Sequence, residues 1–560
     1  MVKGIEIFCK NINEYLCVQG GETLSEIFSR IADRVGIKPI CAKVNNKTED
    51  LGYPVFAPKQ VEYLDCTSPS GERVYVRSLC MIMSKAVRDL FPTLRLRIEH
   101  SVSGGYYTQL INAEGMAETP KPGDLDAIKA RMEKIVAADV PFKRHERLTS
   151  DVVKMFEEAG LHDKAALLGA SQDLYSVYYT LDDTPDSYYG NLAPSSGYIK
   201  HFNLLPFKEG ALLMSINPKK PDEAKQPVEQ EKMYAAFTDY VRLNRIVGLN
   251  NVADLNRAIA DGKASMLINV AEAVHNQCFA RIAEQITERY RQGGARVVLI
   301  AGPSSSGKTT SALRLSIQLL TNFLVPKKIS LDDYFVNRED TPKDADGEYD
   351  YESLYALDLK QFNTDLNRLI AGEEVDMPTY DFPTGRRVYK GNKLKLGPNN
   401  ILLIEGIHGL NPELTKSIPE DQKFRVYVSA LTTISIDDHN WVPTTDNRLL
   451  RRIIRDHKYR GVSAQQTIAR WQSVRRGEDK WIFPYQENAD ATFNSSLLFE
   501  LAVMKNYAEP LLRSVPHSAP EYAEAFRLRA LLNFFMPLEE KDVPSTSLLR
   551  EFLGGSSFHY

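Results

Sequence analysis

Cysteine is scarce in this chain: six in 560 residues (Cys9, Cys17, Cys41, Cys66, Cys80, Cys278), with no C-x-x-C pair. That argues against a disulfide framework or a structural zinc site and suits reduced thiols. Long apolar runs are missing too, none approaching the ~20 residues that span a bilayer. The opening Met1-Val-Lys-Gly-Ile-Glu lacks the basic segment and apolar core of a signal peptide. The expectation is a cytoplasmic protein with no membrane partner. Charge of one sign is also lacking: 69 Lys and Arg face 73 Asp and Glu, for a net charge of -4. This disfavours nucleic-acid binding by bulk charge. What remains is globular composition, 43% hydrophobic and 25% charged, in a chain long enough for several domains.

No internal repeat is visible. Residues 1–63 alternate short β-rich runs (Ile5–Cys9, Glu14–Val18, Ala42–Val44) with one amphipathic stretch, Leu24–Val35. They predict a small sheet packed on a helix. Residues 64–215 read as mixed α+β, with helices over Arg77–Phe91 and Leu125–Ala138 and a strand over Leu94–Glu99. Asn217–Gln230, with three prolines and many charges, reads as a linker. It opens a linker and helical segment over 216–294, whose last helix, Ala271–Arg291, should stop at Gly293-Gly294. From 295 to 535 strands and helices alternate, starting with the apolar run Ala295–Ala301 of a buried parallel strand. Residues 536–560 read as a C-terminal tail.

That first strand runs into Gly302-Pro-Ser304-Ser305-Ser306-Gly307-Lys308-Thr309-Thr310, a full match to G-x-x-x-x-G-K-[ST], followed by a helix-forming run, Ser311–Leu320. A strand turning sharply into a helix aims backbone N–H groups and the helix dipole at one point, and glycine lets phosphate oxygens approach. Lys308 would reach the β- and γ-phosphates of ATP, and Thr309 would offer its hydroxyl to Mg²⁺. A second apolar run, Asn400–Ile404, ends at Glu405, where a carboxylate would face the metal. A third, starting at Lys328, ends at Asp332-Asp333. Asp332 suits a base beside the metal, although an acidic loop or helix cap would look the same. Arg448, Arg451, Arg452 and Arg455 fall three and four apart, so one side of a helix gathers them, as a phosphate clamp or as a solvated basic face.

With these motifs in order, residues 296 to about 515 resemble the uridine kinase and phosphoribulokinase family of P-loop kinases. The resemblance rests on Gly302–Thr310, Ser330-Leu-Asp332, Tyr380-Asp381-Phe382, Glu405-Gly406-Ile407 and Arg448-x-x-Arg451-Arg452-x-x-Arg455-Asp456. It implies a doubly wound α/β kinase domain in which Asp332 is the base and Glu405 a metal-side carboxylate. Asp350 would hold ribose hydroxyls, Tyr380 and Phe382 would flank the acceptor, and Arg452, Arg455 and Arg460 would form a lid over the phosphates. Where uridine kinases carry a histidine that helps to read the pyrimidine, this chain has Gly385, after a longer acidic insertion at 338–347.

The first 215 residues resemble threonyl-tRNA synthetases. Residues 1–63 are similar to the β-grasp TGS domain through Ala42–Leu51, and residues 64–215 to the editing domain through Gly104-Gly105-Tyr106-Tyr107 and His201-Phe202. The editing site's two histidines four apart are Arg77 and Met81 here, and its cysteine and second histidine are absent from Ser187–Tyr198. Arginine and methionine cannot do the acid–base work of imidazole, so no editing activity is expected, and His201 reads most simply as a packed histidine. The function implied is transfer of the ATP γ-phosphoryl to a hydroxyl of a nucleoside (uridine- or cytidine-like) or related small molecule. The N-terminal half would be accessory, and the chain a homo-oligomer. The competing reading is a nucleotide-switched ATPase whose N-terminal half binds RNA or tRNA.

Overall fold

The computed structural model describes residues 4–171, 173–344 and 347–559, so two residues of the acidic insertion, 345 and 346, lie outside the described residues. The first sheet has five strands in the order Glu14–Val18, Ile5–Cys9, Gln60–Leu64, Cys41–Val44, Lys47–Glu49. Ile7, Cys9, Val61 and Tyr63 point inward onto Leu24 and Ile27. The amphipathic stretch breaks in two, Leu24–Ser29 and Ala32–Val35. A capping box between Thr23 and Glu26 starts the first helix, and Gly36, at φ 70°, ends the second.

Next comes a long helix, Pro69–Leu90, which begins eight residues earlier than its apolar pattern suggests. Ser68 caps the Gly71 N–H and Pro69 occupies the first turn, so the local chemistry selects this start. The helix packs with Asp124–Ala137 against an antiparallel sheet built on Arg95–Val102, Gly105–Ile111, Asn203–Phe207 and Gly210–Met214. The proline-rich stretch expected as a linker forms a short hairpin, Ile216–Asn217 with Lys220–Ala224. Lys225, just beyond it, pairs with Glu72 at 2.7 Å.

The C-terminal half is built on a five-stranded, wholly parallel sheet. Its order is Val325–Ser330, Asn400–Glu405, Val297–Ala301, Lys423–Ser429, Ala491–Asn494. Every residue of the central strand is buried, because helices cover both faces. One covering helix, Ala264–Arg291, packs on Lys308–Thr321 and ties to it through the buried pair Arg314–Glu272.

The reading of 536–560 as a tail is corrected. Leu548, Leu549, Phe552 and Leu553 are buried in the main core, and the short helix Arg550–Leu553 lies against Thr444–Arg460. Apolar residues clustered at 548–553 needed a partner surface, and the Thr444–Arg460 helix provides part of it.

The two halves meet around Asp437–Trp441. Lys164, itself buried, lies 3.0 Å from Asp186 and 2.9 Å from Asp437, and His439 Nδ1 is 2.7 Å from Asp186. Arg95 and Arg97 pair with Asp438, whose carbonyl accepts from the Ile98 N–H. Each of these named charges is held by at least one opposite charge across or beside the seam, as burial demands.

Candidate active site

The loop 302–307 leaves the end of the central strand and enters Lys308–Thr321 with Ser305 at φ 58° and Gly307 at φ 85°. This alternation turns successive N–H groups to one side, an anion-binding nest at a helix N-terminus. Gly302 admits no side chain, since a Cβ there would lie 2.0 Å from the Val428 carbonyl oxygen. Lys308 Nζ donates to the Pro303 carbonyl at 3.2 Å, folded back over the loop.

Thr309 Oγ1, in the first turn of that helix, donates to Glu405 Oε1 at 3.4 Å, and Glu405 ends the strand Asn400–Glu405 beside the central one. Asp332 follows the Val325–Ser330 strand in a single turn, Leu331–Tyr334, with its N–H held by Ser330 Oγ. The charges of this cleft feel one another. Burial, reinforced by Asp332, pushes the Glu405 carboxyl up to about 7, with Lys308 opposing. Burial pulls Lys308 down against the attraction of Glu405 and Asp332. Asp332 is open to water at the cleft mouth yet hemmed in by protein, and burial raises it in spite of Lys308, Arg460 and Arg455.

The arginine helix Thr444–Arg460 divides its side chains into two groups. Arg452 Nη1 donates to Ser304 Oγ at 2.8 Å, and Arg452, Arg455 and Arg460 share the single carboxylate of Asp456. Three guanidinium groups on one carboxylate leave positive charge in excess beside the loop. Arg448 and Arg451 do not belong to that group, which corrects the expectation that all four face one way. Both are buried, Arg448 against Glu478 and Arg451 against Glu500. They brace the loop from behind: Arg448 donates to the Ser304 carbonyl and Arg451 to that of Ser305, while Glu478 accepts from the Ser304 N–H at 3.0 Å. Ser495 Oγ donates to the Ser306 carbonyl at 2.5 Å.

Of the remaining expected residues, Tyr380 is buried in the hairpin Val375–Asp381/Arg386–Leu394, with its N–H held by Asp333 and its ring 5.2 Å from that of the exposed Phe382. Asp350 turns onto the Glu352 N–H at 3.2 Å. Gly385, at φ 68°, lies under Arg338, which donates to the Phe382 carbonyl at 2.7 Å. Glu352 was missed altogether. Buried beside Glu478, Arg452 and Lys308, its carboxyl is pushed up to about 7 by burial and then by Glu478. Glu551 was missed as well; it accepts from Thr310 Oγ1 at 2.6 Å and from the Thr310 N–H at 3.2 Å. No local pattern marks either, although the apolar cluster 548–553 signals that its neighbourhood packs.

In the N-terminal half, Met81 is wholly buried and Arg77 donates through Nε to the Asn191 carbonyl at 3.2 Å. His201 exchanges backbone hydrogen bonds with the Tyr75 hydroxyl.

A parallel sheet with this loop, two strand-end carboxylates and a bank of arginines is the framework of a P-loop kinase. Residues 297–498 match the Phosphoribulokinase / Uridine kinase family. The N-terminal half matches threonine–tRNA ligases. The enzyme of Carboxydothermus hydrogenoformans is 29% identical over 184 residues, 33% of this chain and 28% of that protein. That of Desulforamulus reducens is 28% identical over 186 residues, 33% of this chain and 29% of that one. The chain therefore spans under a third of the length of these relatives. Among solved structures, a D-glycerate 3-kinase from Cryptococcus neoformans is similar at 14% identity and a TM-score of 0.21, over 48% of this chain and 89% of that one.

Proposed function

We propose that the chain is an ATP-dependent kinase that transfers the γ-phosphoryl group to a hydroxyl of a small molecule, a nucleoside or related compound, with the N-terminal half as an accessory module without editing activity. The observation that carries this reading is the mutual placement of Lys308, Asp332 and Glu405, whose charges perturb one another in one cleft. A nucleotide-hydrolysing switch needs the loop and a metal-side carboxylate. A second carboxylate at the open mouth is what an incoming hydroxyl needs.

In this reading the loop N–H groups and Lys308 hold the phosphates, and Arg452, Arg455 and Arg460 close over the transferring group and neutralise its charge. Asp332 takes the proton of the attacking hydroxyl, and its raised affinity for protons suits that task. Thr309 and Glu405 suit Mg²⁺ as two oxygen ligands 3.4 Å apart, one of them a carboxylate. Among the described residues no His, Cys, Asp or Glu cluster forms a closed metal cage, which fits an ion that relies on phosphate oxygens for the rest of its shell. When bound, that ion supplies charge neutralisation at the β- and γ-phosphates. Phe382 would offer the acceptor an aromatic face with the buried Tyr380 packed behind it, Asp350 would hold its hydroxyls, and Arg338 stands where a side chain at Gly385 would otherwise project.

The test is ADP release from ATP and Mg²⁺ with a panel of nucleosides, sugars and other alcohols, against RNA and an acceptor-free control. Acceptor-dependent release with a phosphorylated product supports the kinase. Release driven by RNA, with no phosphorylated acceptor, overturns it in favour of the switch.

A further inference from the structure

A cavity of about 400 Å³ lies between the halves, away from the phosphate loop. Its walls come from the Pro69–Leu90 helix and Tyr106 on one side, and from Trp441 and the Ala464–Trp481 helix on the other. The volume is within the ~300–1,000 Å³ of small-molecule sites.

Its lining is charged, but nearly all of the charge is matched. Arg73 pairs with Glu524, Arg527 with Asp446, and Lys225 with Glu72, while Arg475 serves Glu478 and Asp479. Arg77 is different. Among the described residues it has no carboxylate partner, and its one hydrogen bond is Nε to the Asn191 carbonyl. Gly190 leaves room for it, since a Cβ there would fall 2.6 Å from the guanidinium carbon. Burial pulls Arg77 down to about 10, and Arg73 and Arg527 add to that, so it remains charged at neutral pH. With Nε spent on Asn191 and both Nη amino groups without a partner among the described residues, the Arg77 guanidinium, on the wall of this cavity and of a neighbouring one of about 190 Å³ that holds Gly190 and Asn191, is suited to an oxyanion.

The other feature is aromatic. The Tyr106 and Trp441 rings lie 4.7 Å apart, with Tyr189 and Trp471 also on the walls. Such faces take a flat ring. Trp471 also lies under the Arg448 guanidinium, 5.4 Å away, and Arg448 with Glu478 holds Ser304 of the phosphate loop.

We propose that this cavity binds a small planar ring bearing a carboxylate or phosphate, its anionic head on Arg77 and its ring among Tyr106, Trp441 and Trp471, and that its occupancy bears on the phosphate loop through Arg448 and Glu478. The site is independent of the kinase reading; only the coupling leans on the loop's holding nucleotide, and it is read as ATP affinity rather than turnover.

The chain has three tryptophans, and two of them line the cavity. In the full chain carrying Trp481→Phe, tryptophan fluorescence therefore reports on the cavity. The probes are uridine 5′-monophosphate, orotate and inorganic phosphate. One or both ring-bearing anions quench, and which one does so distinguishes a phosphate head from a carboxylate head; inorganic phosphate does not quench. Arg77→Gln weakens the quenching anion by on the order of ten- to a hundredfold, the cost of a lost charged hydrogen bond, while Lys308→Ala leaves it unchanged. If Arg77→Gln fails to fold, Arg77→Lys decides, with several-fold weaker binding expected from the lost fork. No quenching by either ring-bearing anion, quenching indifferent to Arg77, or quenching lost in Lys308→Ala overturns the site. An ATP affinity that is the same with and without the quenching anion overturns the coupling.

Discussion

Replacing Glu478 by glutamine tests whether the loop is held from behind. The carboxylate lies against Arg448 through two contacts, 2.9 Å from Arg475, and accepts from the Ser304 N–H at 3.0 Å, with neither Glu478 nor Arg448 exposed. Burial works against the charge of Glu478, yet Arg448 outweighs it and holds the carboxyl below its usual range. The stabilisation is therefore present above the unfolded value of about 4.3 and lost as pH falls through the folded one. Glutamine can accept one of these hydrogen bonds, but its amide turns donors toward Arg448 and leaves a buried guanidinium without a counter-charge. Breaking a buried pair in this way costs about 3–5 kcal/mol, a large part of the ~5–15 kcal/mol that holds a domain together. Urea unfolding at neutral pH, followed by the fluorescence of the adjacent Trp471, measures it. Loop N–H groups that lose their support should also bind ATP more weakly. Adding Arg448→Met to Glu478→Gln removes the stranded charge and should recover part of the loss, a coupling that a double-mutant cycle isolates. A change below about 1 kcal/mol, as for a surface pair, with ATP affinity intact, would refute the bracing argument.

Lys308→Ala should abolish ADP formation and leave the melting temperature close to that of the parent, because the side chain touches the loop and cleft rather than the core; normal turnover would show the loop to be incidental. Asp332→Asn should keep ATP affinity and lower turnover by about 10²–10⁴, and loss of ATP binding instead would make Asp332 a metal-site residue. At the seam, burial opposes the charge on His439 but Asp186 prevails and raises its pKa, so its contribution is full below about 6.5 and fades as pH rises through the folded value. The melting temperature should fall between neutral and mildly alkaline pH, and His439→Gln should flatten that slope; parallel profiles would refute it.

The loop, Asp332 and Glu405 could be found in the sequence because each belongs to a short local pattern, an apolar strand together with the turn at its end. The arginine helix shows where such reading stops. Spacing places Arg448, Arg451, Arg452 and Arg455 along one stripe, but what separates braces from lid is Glu478 and Glu500, 30 and 49 residues away. Glu352 and Glu551 carry no motif and matter only through what folding places next to them. The prolines of 217–230 read as a linker, yet the pairs Asn217–Lys220 and Ile216–Ala224 suffice to close a hairpin there. Arg77 was legible as a missing histidine, whereas its lack of a counter-charge depends on how Glu524, Asp446 and Glu72 are already spent on other cations.

The supports of the phosphate loop also set an order of events in synthesis. Its carbonyls are held by Arg448, Arg451 and Ser495, which lie 144, 146 and 189 positions further along, and Glu551 reaches Thr310 across 241. At the ~5–20 residues per second of a ribosome, the motif waits on the order of 10–50 s for its last contact. Through that interval the nascent chain carries the glycines and the lysine without the clamp that shapes them. A fragment that stops short of Ser495 would contain an unbroken motif and an unsupported loop, so the earliest moment at which this chain can grip a nucleotide well is set by its last hundred residues.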